Sequence, residues 1–147
     1  MKKILLTVLL VLSIAGSNAQ NKNEMENKTI ETLITAYAAA VDTKNTAAAE
    51  KFLDAEFRVV LNNYNNNGTT TILTKNQYLG MIKDGRAGGS KRSVSFLLTD
   101  IHENAAIVKV KLEGDKAVFT NYYSLIKRDN QWLIVNDIPQ LISKPQN

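Results

Sequence analysis

The stretch AVFTNYYSLIKRDNQWLIVNDI, residues 117–138, decides the fold. β-Branched and aromatic residues crowd Ala117 to Lys127 and again Gln131 to Ile138. Between them, Asp129-Asn130 tolerate positive φ, which is the chemistry of a two-residue hairpin turn. Pairing outward from that turn sets Lys127 opposite Trp132, Leu125 opposite Ile134, Tyr123 opposite Asn136 and Asn121 opposite Ile138. Side chains alternate across a sheet. One face is therefore expected to carry Phe119, Asn121, Tyr123, Leu125, Trp132, Ile134, Asn136 and Ile138, and the other Val118, Thr120, Tyr122, Ser124, Ile126, Leu133, Val135 and Asp137. Both faces are too apolar to lie bare in water. The first is expected to lie under helices of the same chain, and the second partly against another copy.

Working upstream, Ser93 to Ile101 and Ala105 to Leu112 read as two further strands joined through His102-Glu103-Asn104. Val108, Val110 and Leu112 alternate with Lys109 and Lys111, so this strand buries one face and wets the other. Before them, Gly85 to Arg92 is a basic glycine-containing loop. Its spacing fits neither the phosphate-loop nor the dinucleotide fingerprint, which makes it a connector. Thr74-Lys75-Asn76-Gln77 has the capping-box spacing, so a helix is expected to start there with Tyr78, Met81 and Ile82 on one side.

The first third of the domain is helical. Ile30, Leu33, Ile34, Tyr37 and Val41 recur at intervals of three and four, one buried stripe from Thr29 to Lys44. Asn45-Thr46 interrupts it and caps a short second helix whose apolar side is Ala48, Ala49, Phe52 and Leu53. Phe57 to Leu61 and Thr69 to Leu73 form a strand pair about an asparagine-rich tip.

Residues 1–19 have the grammar of a secretory leader: Lys2-Lys3, an apolar run from Ile4 to Ala15, then Ser17-Asn18-Ala19. The run is shorter than the roughly 20 residues of a bilayer span. The protein is accordingly expected to be exported, periplasmic or secreted, with no membrane association after leader removal. Segment 20–28 reads as a flexible lead-in, 29–142 as one α+β domain and 143–147 as a tail. The leader takes two of 18 basic residues with it, which leaves little positive excess and no argument for a nucleic-acid partner. With no cysteine and one histidine, neither a disulfide framework nor a thiolate or histidine metal site is expected, and no cofactor is implied.

The order of elements, with TAYAAAVDTKNTAAAEKFL (Thr35 to Leu53) early and FTNYYSLIKRDNQWLIVNDIP (Phe119 to Pro139) late, resembles the cone-shaped nuclear transport factor 2-like fold. Within it, the chain is most similar to the putative lumazine-binding family of bacterial proteins. The resemblance runs from about Thr29 to Pro139 and implies three N-terminal helices packed on a curved, mainly antiparallel sheet. That superfamily includes ketosteroid isomerase, with an aspartate base, a tyrosine and a second acid. Carried over by position, the tyrosine falls on Tyr37, the base near Val60 or Leu61, and the second acid among Tyr122 to Ser124, where there is no carboxylate. Acid–base catalysis of that type is therefore not expected, and no catalytic residue is assigned.

The expected function is binding of a flat, weakly polar organic ligand in a cavity lined by Tyr37, Tyr78, Met81, Phe96, Asn121, Tyr123, Trp132 and Asn136. Two alternatives stand beside it. One is a small isomerase or dehydratase using Tyr37 as polariser and Asp137 or water as base. The other is an assembly role, a homodimer through Val118, Tyr122, Ile126, Leu133 and Val135.

Overall fold

The computed structural model describes residues 2–66 and 68–145, with the side chains of all of these except residues 2–19 and Asn65. Helices α1 (Lys2–Asp42) and α2 (Thr46–Glu50) precede strand β1 (Leu53–Asn62), a short 3-10 turn (Tyr64–Asn66), β2 (Thr70–Thr74) and helix α3 (Lys75–Lys83). Four long strands follow: β3 (Ser93–His102), β4 (Ala105–Glu113), β5 (Ala117–Arg128) and β6 (Gln131–Ser143). They form one sheet in the order β2-β1-β6-β5-β4-β3. Among the described residues β1 pairs with β6 in parallel, and the other pairs are antiparallel. The expected α+β architecture, helices over a curved and mainly antiparallel sheet, is the observed one.

Local chemistry explains the elements. Asp129 and Asn130 both have positive φ, 49° and 63°, as the tight β5–β6 turn requires. Thr74 caps α3 by accepting from the Gln77 backbone N–H, while the Gln77 side chain accepts from the Thr74 N–H, a complete capping box. The Asn45 side chain caps α2 by accepting from the Ala48 N–H. The α1 stripe, Ile30, Ile34, Tyr37 and Val41, is buried in one core with Phe57, Val108, Val110, Tyr123, Leu125, Trp132 and Ile134. Full burial of each such side chain contributes roughly 1.5–3 kcal/mol.

Four expectations need correction. Residues 20–28, expected to be a flexible lead-in, continue helix α1, and Glu26 within them accepts from the indole Nε1 of Trp132 at 2.6 Å and pairs with Lys127. Helix α2 ends at Glu50, so Phe52 and Leu53 lie beyond it. Leu53 instead opens β1, and the Phe52 carbonyl accepts from the Ile134 N–H at 2.9 Å, which pins the chain to β6. Strand β6 runs through Ser143, one residue past the expected domain boundary. The leader reading falls on residues whose side chains lie outside the described set.

The fourth correction is a register. From the turn, Lys127 pairs with Trp132 and Leu125 with Ile134 as expected, but Ser124 then pairs with Asn136 and Tyr123 with Asp137. Val135 is the extra residue of a β-bulge. A bulge offsets every later residue by one and so exchanges the faces of the strand. Beyond Val135 it is Asp137 and Pro139 that are buried, while Asn136 and Ile138 are only half-buried. A second bulge at Leu97 in β3 leaves Leu97 and Leu98 both exposed on the outer side.

Candidate functional site

Between α3, the loop after it and the concave side of the sheet lies a chamber of about 250 Å³. Strand β1 contributes Val59 and Leu61, α3 contributes Tyr78 and Met81, and β5 contributes Phe119 and Asn121. From β6, Asp137 and Pro139 join them, with Tyr64 and Arg92 also on the wall. A depression of similar size beside Glu56 and Arg58 is more open and has no buried polar side chain on its wall, so the chamber is the better candidate.

Asp137 is the chemical centre of this chamber. Its side chain is buried, and its two carboxyl oxygens accept from the same Asn121 Nδ2, at 2.8 and 3.0 Å. Burial disfavours the charged form and pushes the carboxyl up from 3.8 to about 7, against the opposing pull of the Asn121 hydrogen bond and the Arg92 charge. Tyr37, Tyr78 and Tyr123 surround it, and burial drives all three upward, Tyr78 to about 12. The tyrosines therefore keep their protons near neutral pH, while Asp137 changes state there. The Asn121 Oδ1 is buried without a protein partner among the described residues.

The chamber mouth is built by the basic loop. The Arg92 backbone N–H donates to Asp42 Oδ2 at 2.9 Å and its Nε to Oδ1 at 2.6 Å, and its guanidinium lies 5.4 Å from the Phe119 ring centroid. The Gly89 N–H donates to the Asp42 carbonyl at 3.0 Å. Gly88 is pressed so close that an added Cβ would stand 2.0 Å from the Val41 carbonyl oxygen. The loop is thus a fixed wall, with Arg92 engaged by Asp42 and Arg86 by Asp84.

Of the residues proposed from sequence, Tyr78, Met81 and Asn121 stand on the chamber wall. Tyr37 and Tyr123 lie behind it, edge-to-face with ring centroids 6.2 Å apart. The Tyr37 hydroxyl approaches that of Tyr78 closely enough to affect its ionisation but falls short of a well-formed hydrogen bond. Phe96 packs against the core from β3, and Trp132 sits at the hairpin end against Glu26, both away from the chamber. Asn136 is corrected outright: the bulge turns it away and puts Asp137 in its place.

The sequence reading put Asp137 on the outer face and kept it only as the base of the alternative enzyme, and it left Tyr64, Phe119 and the loop residues Arg86 and Arg92 out of the site. Acid–base catalysis was not expected, yet Asp137 puts a proton-accepting side chain on the chamber wall, while Leu61 offers only hydrocarbon near the position where a base was sought. Asn136-Asp137, two polar residues in succession within an apolar strand, required one of them to point inward. Alternation chose the wrong one. Asp54 is buried as well, but it is held by Arg128 at 3.0 Å and accepts from the Glu56 N–H at 2.9 Å, off the chamber wall.

A family model described as putative lumazine-binding matches residues 25–138. Solved structures with a similar fold include a nuclear transport factor 2-like protein of unknown function from Silicibacter pomeroyi. It is 13% identical, with a TM-score of 0.72 over 82% of this chain and 98% of that one. A second, from Shewanella baltica, is 14% identical, with a TM-score of 0.71 over 80% and 94%. A third, from Methylobacillus flagellatus, is 17% identical, with a TM-score of 0.69 over 80% and 92%. No curated protein sequence matches the chain. The structural likenesses carry the fold, and the family match runs from the N-terminal helix to the last strand: the chain belongs to the putative lumazine-binding family and has the nuclear transport factor 2-like fold.

Proposed function

We propose that the chamber is the binding site for a compact organic molecule, held between aromatic walls and anchored on Asp137. The observation that carries this reading is a buried carboxyl on the chamber wall whose protein partner, among the described residues, is a single amide nitrogen. A carboxyl so placed is costly to bury unless other groups use it. The family description supports a small-molecule ligand. Native mass spectrometry of protein purified from its own host tests the reading: a retained small molecule, lost in Asp137→Leu, is the expected result. An empty protein that also fails to bind added lumazine would refute it.

A second reading rests on the same carboxyl. Near neutral pH Asp137 exists in both protonation states, which suits a group that moves a proton on the ligand. The non-catalytic expectation rested on the absence of such a group and loses that support. Incubating the retained ligand in heavy water with wild type and Asp137→Asn tests it. Deuterium uptake into the ligand with wild type alone is expected from an enzyme, and none from a receptor.

Two further proposals concern context. The leader composition of residues 1–19 supports export. No helix among the described residues is long and apolar enough to cross a membrane. The outer sheet face carries half-buried Val118, Ile126, Leu133 and Val135 with exposed Tyr122 and Ile107, which supports a homodimer through that face. Light scattering on wild type and Tyr122→Glu distinguishes a dimer, which the added charge breaks, from a monomer unaffected by it.

A further inference from the structure

The two ends of the chamber differ in charge. At its mouth, Arg92 is committed to the fold: its guanidinium and the Asp42 carboxylate are both largely buried, and Asp42 also accepts from the Arg92 N–H. Arg86 is not. Its side chain is 63% exposed, and its contact is Nη2 to Asp84 at 3.2 Å, a carboxylate itself open to water. An ion pair so exposed holds weakly. A guanidinium carries five N–H donors in a fork, so most of the Arg86 fork is left for an occupant of the chamber whose wall it joins. The loop offers no backbone cradle for a phosphate, because the N–H groups of Gly85, Arg86, Ala87 and Gly89 donate to the carbonyls of Ile82, Met81 and Asp42. A single side-chain fork suits a carboxylate.

The inner end asks for the opposite group. There the two carboxyl oxygens of Asp137 and Oδ1 of Asn121 share one donor among the described residues, Asn121 Nδ2. A carboxyl has acceptor sites beyond those that Nδ2 fills. Burial of the acid disfavours further charge beside it. A neutral donor therefore fits the inner end and an anion the mouth, and Leu61, Tyr64 and Phe119 supply apolar wall for a ring. Resting on the small-molecule reading above, we infer that the chamber receives a ring-bearing hydroxy acid end-on, its carboxylate on Arg86 at the mouth and its hydroxyl donating to the Asn121–Asp137 pair inside.

The probes are 3-(4-hydroxyphenyl)propanoate, its methyl ester, which lacks the anion, and 3-(4-methoxyphenyl)propanoate, which lacks the hydroxyl donor. Calorimetric titration of wild type should show the parent binding about fivefold more tightly than the ester, the scale of an exposed ion pair. Its advantage over the methoxy acid should be about tenfold, the scale of a buried acceptor left unanswered. Arg86→Gln, a change at an exposed side chain, should erase the first preference and keep the second. Equal or tighter binding of either control by wild type, or an acid preference that survives in Arg86→Gln, overturns this assignment and leaves the small-molecule reading standing. If none of the three binds, the molecule retained by the native protein decides: a carboxylate with a separate hydroxyl upholds the assignment, and a ligand lacking either overturns it. A native protein that is empty and binds none of the three overturns the assignment, and lumazine titration then judges the small-molecule reading by itself.

Discussion

Asn121 Nδ2 reaches both oxygens of Asp137, at 2.8 and 3.0 Å, across two strands whose registers would place these residues on opposite faces were it not for one extra residue, Val135. That contact assembles the polar centre of the chamber, and its ionisation is the most accessible property of the site.

The pH dependence follows from burial. The carboxyl is raised from 3.8 to about 7 in the folded protein. An acid so shifted holds its proton more tightly when folded, so its favourable contribution is complete below about pH 4 and is lost as pH rises to about 7. Tyr37, Tyr78 and Tyr123 stay protonated throughout that window. Asp137→Asn should flatten this slope and melt at higher temperature than wild type above neutral pH. Thermal melts from pH 4 to 8 provide the comparison, and parallel curves would contradict it.

The anchor of the N-terminal helix is a second measurable contact. Glu26 is held below the usual carboxylate range by hydrogen bonds from Lys127 and then Trp132. A depressed pKa stabilises above the unfolded value and loses that effect as pH falls through the folded one. Glu26→Gln should cost about 1 kcal/mol at neutral pH, the scale of a part-exposed charged hydrogen bond. The difference from wild type should shrink in acid. Trp132 is the sole tryptophan, so its fluorescence reports the change directly.

Gly88 and Gly68 both have positive φ, +74° and +70°, but only Gly88 is pressed against backbone. Gly68→Ala meets nothing within 4 Å and should cost about 1 kcal/mol from φ alone. Gly88→Ala adds overpacking against the Val41 carbonyl, about 1–3 kcal/mol more. Denaturant midpoints of the two variants give the ordering. A Gly88→Ala protein as stable as Gly68→Ala would mean that the loop is not held against α1.

Tyr37 presents the opposite case. Its hydroxyl is buried without a well-formed partner, so Tyr37→Phe should leave stability unchanged or raise it by up to about 1 kcal/mol. Because the ring lies behind the chamber wall, ligand retention should survive the substitution. A large loss of ligand in Tyr37→Phe, seen by native mass spectrometry, would bring the hydroxyl into the site after all.

Much of the architecture was legible because it rests on short-range chemistry. Asp129-Asn130 accept the dihedrals of a tight turn, Thr74 and Gln77 cap a helix three residues apart, and the stripe from Ile30 to Val41 needs a core. Each of these depends on neighbours within one turn of chain. The place of Tyr78, Met81 and Asn121 on the chamber wall could be suggested on the same footing, since an inward face follows from period alone.

What the amino-acid order determined, then, was the inventory of elements and the hairpin that starts the sheet. Tertiary structure decided which of Asn136 and Asp137 enters the chamber, because the bulge at Val135 arises where β6 must follow both β5 and the parallel β1 around a curve. It also joined Glu26 to a hairpin more than a hundred residues away and laid Arg92 on Asp42, contacts between segments whose separation along the chain hides them from any local pattern. A single unpaired residue in one strand thus converts an amide-lined pocket into one with an acid at its centre.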